Sequence, residues 1–241
     1  MFKTAIKILI LLVVAAYLVF ALTTLNRRSK PRQCEGLDIT LEDTGFVNEN
    51  DVRQLLVRNK LFPEGQPMDN ISLARMESCL VASPHIAEAL CYQTVDGKVA
   101  INITPLRPIL HVINNEGQDF YIADNATTMP RADHTADLIV LTGNVPRKTA
   151  AKLYTELGLR LTDDPYWNRE VAEIHVTQRG ELQLMPRQGH HTIILGDTSA
   201  LDDKLRRLRL FYEEGLNKVG WNRYKTISLK FDNQIVCTKW E

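Results

Sequence analysis

The chain has 241 residues, 44% of them hydrophobic and 24% charged, and its 29 basic and 29 acidic side chains cancel. That composition excludes wholesale disorder and leaves room for one large domain or two smaller ones. Neutrality also argues against a nucleic-acid binder, whose basic surface would show in the balance.

The charge is unevenly placed. Residues 1–33 carry six basic side chains and no acidic one, Cys34 to Leu106 carry eleven acidic against five basic, and the remainder holds 18 of each. Three charge characters point to three environments. From Ile8 to Leu25 run 18 uncharged residues, with Thr23 and Thr24 the polar exceptions. A helix of that length spans roughly 27 Å, about the hydrocarbon thickness of a bilayer. The run is longer than a signal-peptide core and ends in the basic "NRRSKPR", so it reads as an uncleaved transmembrane helix. Residues 1–7 form a short tail before it and 26–33 a basic linker after it. The basic residues flanking the span, two before and four after, leave the orientation open. Taken alone, they lean toward a cytoplasmic main body.

Beyond Cys34 the pattern is that of a folded domain. "CEGLDITLED" alternates Leu37, Ile39 and Leu41 as one face of a strand. Asn48 is placed as an N-cap with Asp51 three positions on, ahead of an apolar stripe of Val52, Leu55 and Leu56. "FPEGQP" ends that helix, and a second runs from about Asn70, with Leu73, Met76 and Leu80 aligned, to a stop before Pro84. In "IAEALCYQTVDGKVAINIT" the Asp96-Gly97 pair joins two strand-like runs into a hairpin. Strand, helix, helix, strand, strand over 34–106 make one small α+β domain, bounded by Pro105 and Pro108 in "TPLRPIL".

Residues 107–241 are predominantly strand-forming: "ILHVIN", "QDFYIAD", "LIVLTG", "VAEIHVTQ", "ELQLMPR", "HTIILG" and a closing hairpin in "YKTISLKFDNQIVCTKWE". Two helices interrupt them. One runs from about Pro146 to Leu159; the other starts near Thr198 or Ser199 and carries Leu201, Leu205, Leu208, Tyr212 and Leu216 at helical spacing.

Catalytic signatures do not emerge. There is no GxGxxG, no phosphate-cradling loop and no GxSxG elbow. His190 and His191 are adjacent, so on a strand they face opposite ways and make a poor metal pair; solvent-facing histidines are the expectation. Asp163-Asp164 precede Pro165 in a loop, and Asp202-Asp203 sit in the first turn of a helix, where the dipole favours negative charge. Lys204, Arg206, Arg207 and Arg209 read as the solvated face of that helix. Cys34, Cys79, Cys91 and Cys237 show no metal spacing. A Cys79–Cys91 disulfide and buried reduced thiols are equally open. No cofactor or metal is expected.

The closing hairpin is the candidate site. Its last strand, from about Ile235 to Trp240, is β-prone and lacks a following element, so its backbone edge invites pairing with another chain. The partner-binding set is Tyr224, Ile227, Leu229, Lys230, Phe231, Ile235, Val236, Cys237, Thr238, Lys239 and Trp240. Phe231 and Trp240 are the apolar anchors and Lys230 and Lys239 the charge contacts.

Order and spacing carry a resemblance. "YQTVDGKVAINITPLRPILHV", "FYIADNATTMP" followed by "VLTGNV", "GELQLMPRQGHHTIILGDTSALDDKLRRLRLF" and "YKTISLKFDNQIVCTK" together resemble the FtsQ/DivIB cell-division proteins over nearly the whole chain. Family members commonly have Gly where Asn125-Ala126 stands here, and Asn tolerates the left-handed backbone such a turn uses. The resemblance implies one transmembrane helix, a POTRA domain and a β domain. It also implies a cytoplasmic N-terminus, with the folded region outside the bacterial plasma membrane at the division septum. Its partners would be the small coiled-coil proteins FtsB/DivIC and FtsL, bound by the β domain and its terminal strand. The POTRA domain would serve localisation and further divisome contacts, and no catalysis is implied. Two alternatives are a POTRA-containing partner in membrane-protein biogenesis or secretion, and a membrane-anchored cell-wall hydrolase.

Overall fold

The computed structural model describes residues 13–21, 32–42, 46–131 and 137–240. Residues 13–21 form a helix, α1, whose Val14, Tyr17 and Phe20 side chains are exposed. Both flanks of the expected span Ile8–Leu25, the tail 1–7 and most of the linker 26–33 lie outside the described residues. No helix among the described residues is long and apolar enough to cross a membrane.

The first folded unit runs β1 (Leu37–Leu41), α2 (Glu49–Arg58), α3 (Leu73–Val81), β2 (Ile86–Gln93) and β3 (Val99–Pro105). Its sheet has the order β1-β3-β2, with β1 parallel and β2 antiparallel to β3. Asn48 starts α2 through a reciprocal capping box: its side chain accepts from the Asp51 amide at 3.0 Å, and the Asp51 carboxylate accepts from the Asn48 amide at 3.0 Å. Asn70, where the second helix was expected to begin, lies instead in a short 3-10 turn, and α3 follows at Leu73. Val52, Leu56, Met76 and Leu80 from the helices close over Val99, Ile101 and Ile103 of the central strand. All four cysteines are free thiols, so the Cys79–Cys91 bridge is not formed. Burial, followed by the neighbouring Glu77 carboxylate, pushes the Cys91 thiol up to about 12.

The second unit is a mixed sheet of nine strands among the described residues. In chain order these are β4 (Pro108–Asn114), β5 (Asp119–Ala123), β6 (Thr128–Pro130), β7 (Ile139–Gly143), β8 (Val171–Val176), β9 (Leu182–Pro186), β10 (Thr192–Gly196), β11 (Tyr224–Ser228) and β12 (Val236–Lys239). Their spatial order is β12-β11-β10-β9-β8-β7-β4-β5-β6. The parallel pairs β7/β8 and β10/β11 each need a crossover, which the helices provide. Between β7 and β8 lie α4 (Arg147–Thr162) and α5 (Pro165–Glu170). Between β10 and β11 lies α6 (Leu201–Phe211), continued by a π-turn at Tyr212–Leu216 into the short α7 (Asn217–Val219). Ala150, Tyr154, Leu157, Leu161, Leu201, Leu205 and Leu208 join Ile109, Leu141, Ile174, Leu184, Ile193 and Ile227 in one core. On the opposite face Val140, Thr142, Glu173, His175, Gln183, Met185 and Ile194 stay partly exposed.

The two expected helices of this region are therefore joined by a third, α5. Asp163 and Asp164 form the expected short connection before Pro165, and Asp164 caps α5 by accepting from the Tyr166 amide at 2.8 Å, with Pro165 in its first turn. Strand β6 was likewise not anticipated, being only three residues long. The two units meet at the β4–β6 end of the open face, where Phe46 and Leu106 pack with Tyr121, Ala123 and Met129. The Phe46 and Tyr121 rings are edge-on at 4.9 Å, and His85 Nε2 lies 3.3 Å from the Pro130 carbonyl.

Two glycines report how closely the layers approach. A Cβ at Gly158 would lie 2.9 Å from Leu110 side-chain atoms, where α4 crosses β4. At Gly143, with φ at +90°, it would lie 2.1 Å from the Val176 carbonyl oxygen. Gly158→Ala should therefore destabilise by about 1–3 kcal/mol although alanine favours helix by about 1 kcal/mol. Gly143→Ala should cost about 3 kcal/mol or more. Denaturant midpoints decide it, and a neutral or stabilising result at either position contradicts this packing.

Candidate partner-binding edge

Strand β12 is antiparallel to β11, with Tyr224 opposite Lys239, Thr226 opposite Thr238, Ile227 opposite Cys237 and Ser228 opposite Val236. No strand pairs with its other side among the described residues. Alternation puts Ile235 and Cys237 against the core and Val236, Thr238 and Trp240 on the opposite face. Val236 is 43% exposed, and Phe231 and Trp240 are each 49% exposed. Lys225 sits with its ammonium 5.8 Å from the centre of the Trp240 ring.

The structure divides the candidate residues into groups. Phe231, Val236, Thr238, Lys239 and Trp240 are accessible, and Tyr224, Ile235 and Cys237 are half-buried. Ile227 and Leu229 are completely buried in the core, so their side chains cannot meet a partner. They point toward the helices and hold the sheet together. Lys230 is exposed but already paired with Glu181, whose carboxylate it holds below the usual range.

The helix behind the edge also departs from its expected solvated face. Arg206 and Arg209 remain outside, paired with Asp203 at 2.6 Å and Glu213 at 2.9 Å. Lys204 is buried, its ammonium donating to the Asp197 carboxylate at 2.9 Å and carbonyl at 3.0 Å. Arg207 is turned inward onto the β11–β12 connection, where Nη1 donates to the Phe231 and Gln234 carbonyls at 3.0 and 2.8 Å. Arg207, Glu181 and Lys225 are thus parts of the site that its sequence did not announce. No local pattern links a helix residue to carbonyls 24 and 27 positions later.

Beneath this end of the sheet lies a buried aromatic group. His190 is exposed, but His191 is buried, contrary to expectation, with Nε2 2.8 Å from the Tyr212 hydroxyl. The Tyr212 and Trp221 rings are 4.8 Å apart. Burial draws the His191 imidazole below its ordinary 6.5, against the opposing pull of the Trp221 backbone.

A separate groove of about 1050 Å³ runs between α4, α5 and α6 over Leu159, Trp167 and Leu205. Its charges are largely paired, Arg107 with Asp163 and Arg160 with Asp202. No cluster of three or more His, Cys, Asp or Glu suited to a metal occurs among the described residues.

Together these features define an α+β protein: a small β-α-α-β-β unit packed against a mixed sheet whose far edge has no partner strand among the described residues. Comparison with family models agrees. Residues 32–104 match a POTRA-like domain, and residues 107–238 match the model described as FtsQ/DivIB, C-terminal related. The chain belongs to the FtsQ/DivIB family. No curated protein matches it. Membership gives it a role in cell division among other division proteins, as a septal membrane protein.

The aromatic group makes a pH prediction. Below about 6.5 the unfolded chain protonates His191 while the folded protein resists, so stability is full above that value and falls as pH descends toward the folded value. Asp197, held low by the Ser199 hydroxyl and then Lys204, adds a loss of the same sign starting lower, below 3.8. Thermal midpoints should drop between about pH 7.5 and pH 5, and His191→Gln should flatten that step. Parallel slopes in the two proteins would rule the assignment out.

Proposed function

We propose that this protein is a non-enzymatic bitopic scaffold of the bacterial division complex that receives an extended segment of an FtsB/DivIC-like partner along β12. One observation carries the reading: among the described residues β12 is paired on one side only, with Val236, Thr238, Lys239 and Trp240 accessible along it. Main-chain hydrogen bonds would supply affinity, and side chains at alternate positions specificity. Phe231 and Trp240 serve as apolar anchors and Lys239 as the charge contact, while Lys230 first has to leave Glu181. Residues 34–106 act as the POTRA domain in localisation and residues 107–241 as the β domain, which also engages an FtsL-like protein. The chain is single-pass through 8–25, with its N-terminus cytoplasmic.

The test exploits the ladder. Alternate residues of an antiparallel strand point their amides away from the neighbour, so a proline at one of Cys237 or Thr238 removes an outward amide and at the other an inward one. The outward substitution and Trp240→Ala should each weaken capture of the partner's purified extracytoplasmic region at least about tenfold with an unchanged unfolding midpoint. Normal capture by both folded variants rejects the edge as the docking site.

The anchor has its own test. The full-length chain should stay in membranes after carbonate extraction, and a tag at its C-terminus should be reachable from outside the plasma membrane. A mature N-terminus starting after Ala21, or release by carbonate, would remove the anchor from the proposal.

A further inference from the structure

Residues 229–235 connect β11 to β12 through a turn at Asp232–Asn233, and among the described residues no short, well-aligned backbone–backbone hydrogen bond closes this connection on itself. The Leu229 amide instead donates to the Ile194 carbonyl on β10, at 2.9 Å. Tight hairpins close through their own turn geometry and thereby fix strand register. Here the turn is loosely closed, and a side chain from outside the hairpin holds it on both sides. Arg207 of α6 donates from Nη1 to Phe231 O at 3.0 Å and to Gln234 O at 2.8 Å, and its Nη2 lies 3.5 Å from Leu229 O. Its Nε donates to Asp203 Oδ2 at 2.8 Å, which holds the guanidinium plane from behind. The side chain is only 12% exposed.

The geometry points to Arg207 as the positioning residue of the docking edge: it holds the β11–β12 connection and so keeps β12 ordered in the register a partner strand must meet. The inference rests on the reading of β12 as the docking strand. Four residue pairs attach β12 to the sheet, and it has no second neighbour among the described residues. A strand held that lightly frays unless its ends are fixed. Ordering it in advance spares the partner that cost on binding. Only a guanidinium suits the position, because a planar fork reaches several carbonyls and a carboxylate at once, whereas an ammonium is a single point charge.

The experiment uses the full chain in detergent, as wild type, Arg207→Gln and Arg207→Lys, the last retaining charge and most of the stem. Three quantities are read on each: hydrogen exchange of peptides within 229–239, the global unfolding midpoint, and affinity for the purified extracytoplasmic region of the FtsB/DivIC-like protein of the same cell. Expected for both variants is exchange at 229–239 rising to nearly that of an unstructured peptide, so that only about a tenth of the molecules hold β12 ordered, a midpoint close to wild type, and about tenfold weaker capture. Unchanged exchange at 229–239 overturns the inference and leaves the docking reading standing. Exchange at nearly the unstructured rate with undiminished capture overturns the docking reading itself. Exchange rising equally in β4 to β9 with a falling midpoint assigns Arg207 to general stability, and that also overturns the inference.

Discussion

An open sheet has two edges, and each presents unpaired backbone donors and acceptors that will seek another strand. This constraint organises the second unit, whose described strands close neither into a barrel nor back onto their own edge. The two edges are treated in opposite ways. β6 is three residues long and ends in Pro130, which has no amide to offer. Its Met129 is fully buried, and the Pro130 carbonyl is met by His85 of the first unit. β12 has no such cover among the described residues and shows only mild defences, an exposed Lys239 and a register shift opposite Tyr224 and Thr226.

The first unit is therefore more than a neighbour. By packing Phe46 onto Tyr121, which also stacks on His111 at 4.7 Å, it covers the end of the helix-free face that the helices cannot reach. Helices on one side and the first unit at one corner leave uncovered the stretch of that face running from β7 to the open edge. The fold thus gives the molecule a direction, with one edge closed by the chain itself and the other left accessible.

Much of this architecture is legible in the sequence because it rests on local rules. Asn48 and Asp51 form the capping box their spacing predicts, and Asp96-Gly97 turns the hairpin, with Gly97 at φ +83°. The two long helices and the strands of the second unit follow from apolar periodicity. What escapes is either too short for periodicity or non-local. β6 has three residues, and α5 has six, announced only by Asp164 before Pro165. Lys204, Arg207 and His191 look like surface residues in sequence, and each is taken inside by a partner contributed from elsewhere: Asp197, the 229–235 carbonyls and Tyr212. Of the candidate site, the edge strand itself was legible, while the buried roles of Ile227 and Leu229 depend on which face the helices choose.

The size of the edge limits what it does alone. Four residues of antiparallel strand offer about four outward main-chain hydrogen bonds at roughly 1 kcal/mol net each. Completing the burial of the half-exposed Val236 and Trp240 adds about 1 kcal/mol apiece. Association itself costs about 4–15 kcal/mol, so the edge by itself sits close to break-even. Two things shift that balance. A strand ordered before the partner arrives does not charge the complex for its ordering, which is the role proposed for Arg207. Septal membrane proteins also meet their partners within one membrane, where confinement raises effective concentration without any new contact. On the proposed reading of β12 as the docking strand, a lightly built edge held in place by a side chain would be selective, because only a partner brought to the same membrane, with a segment matching the β12 register, would recover the cost of association.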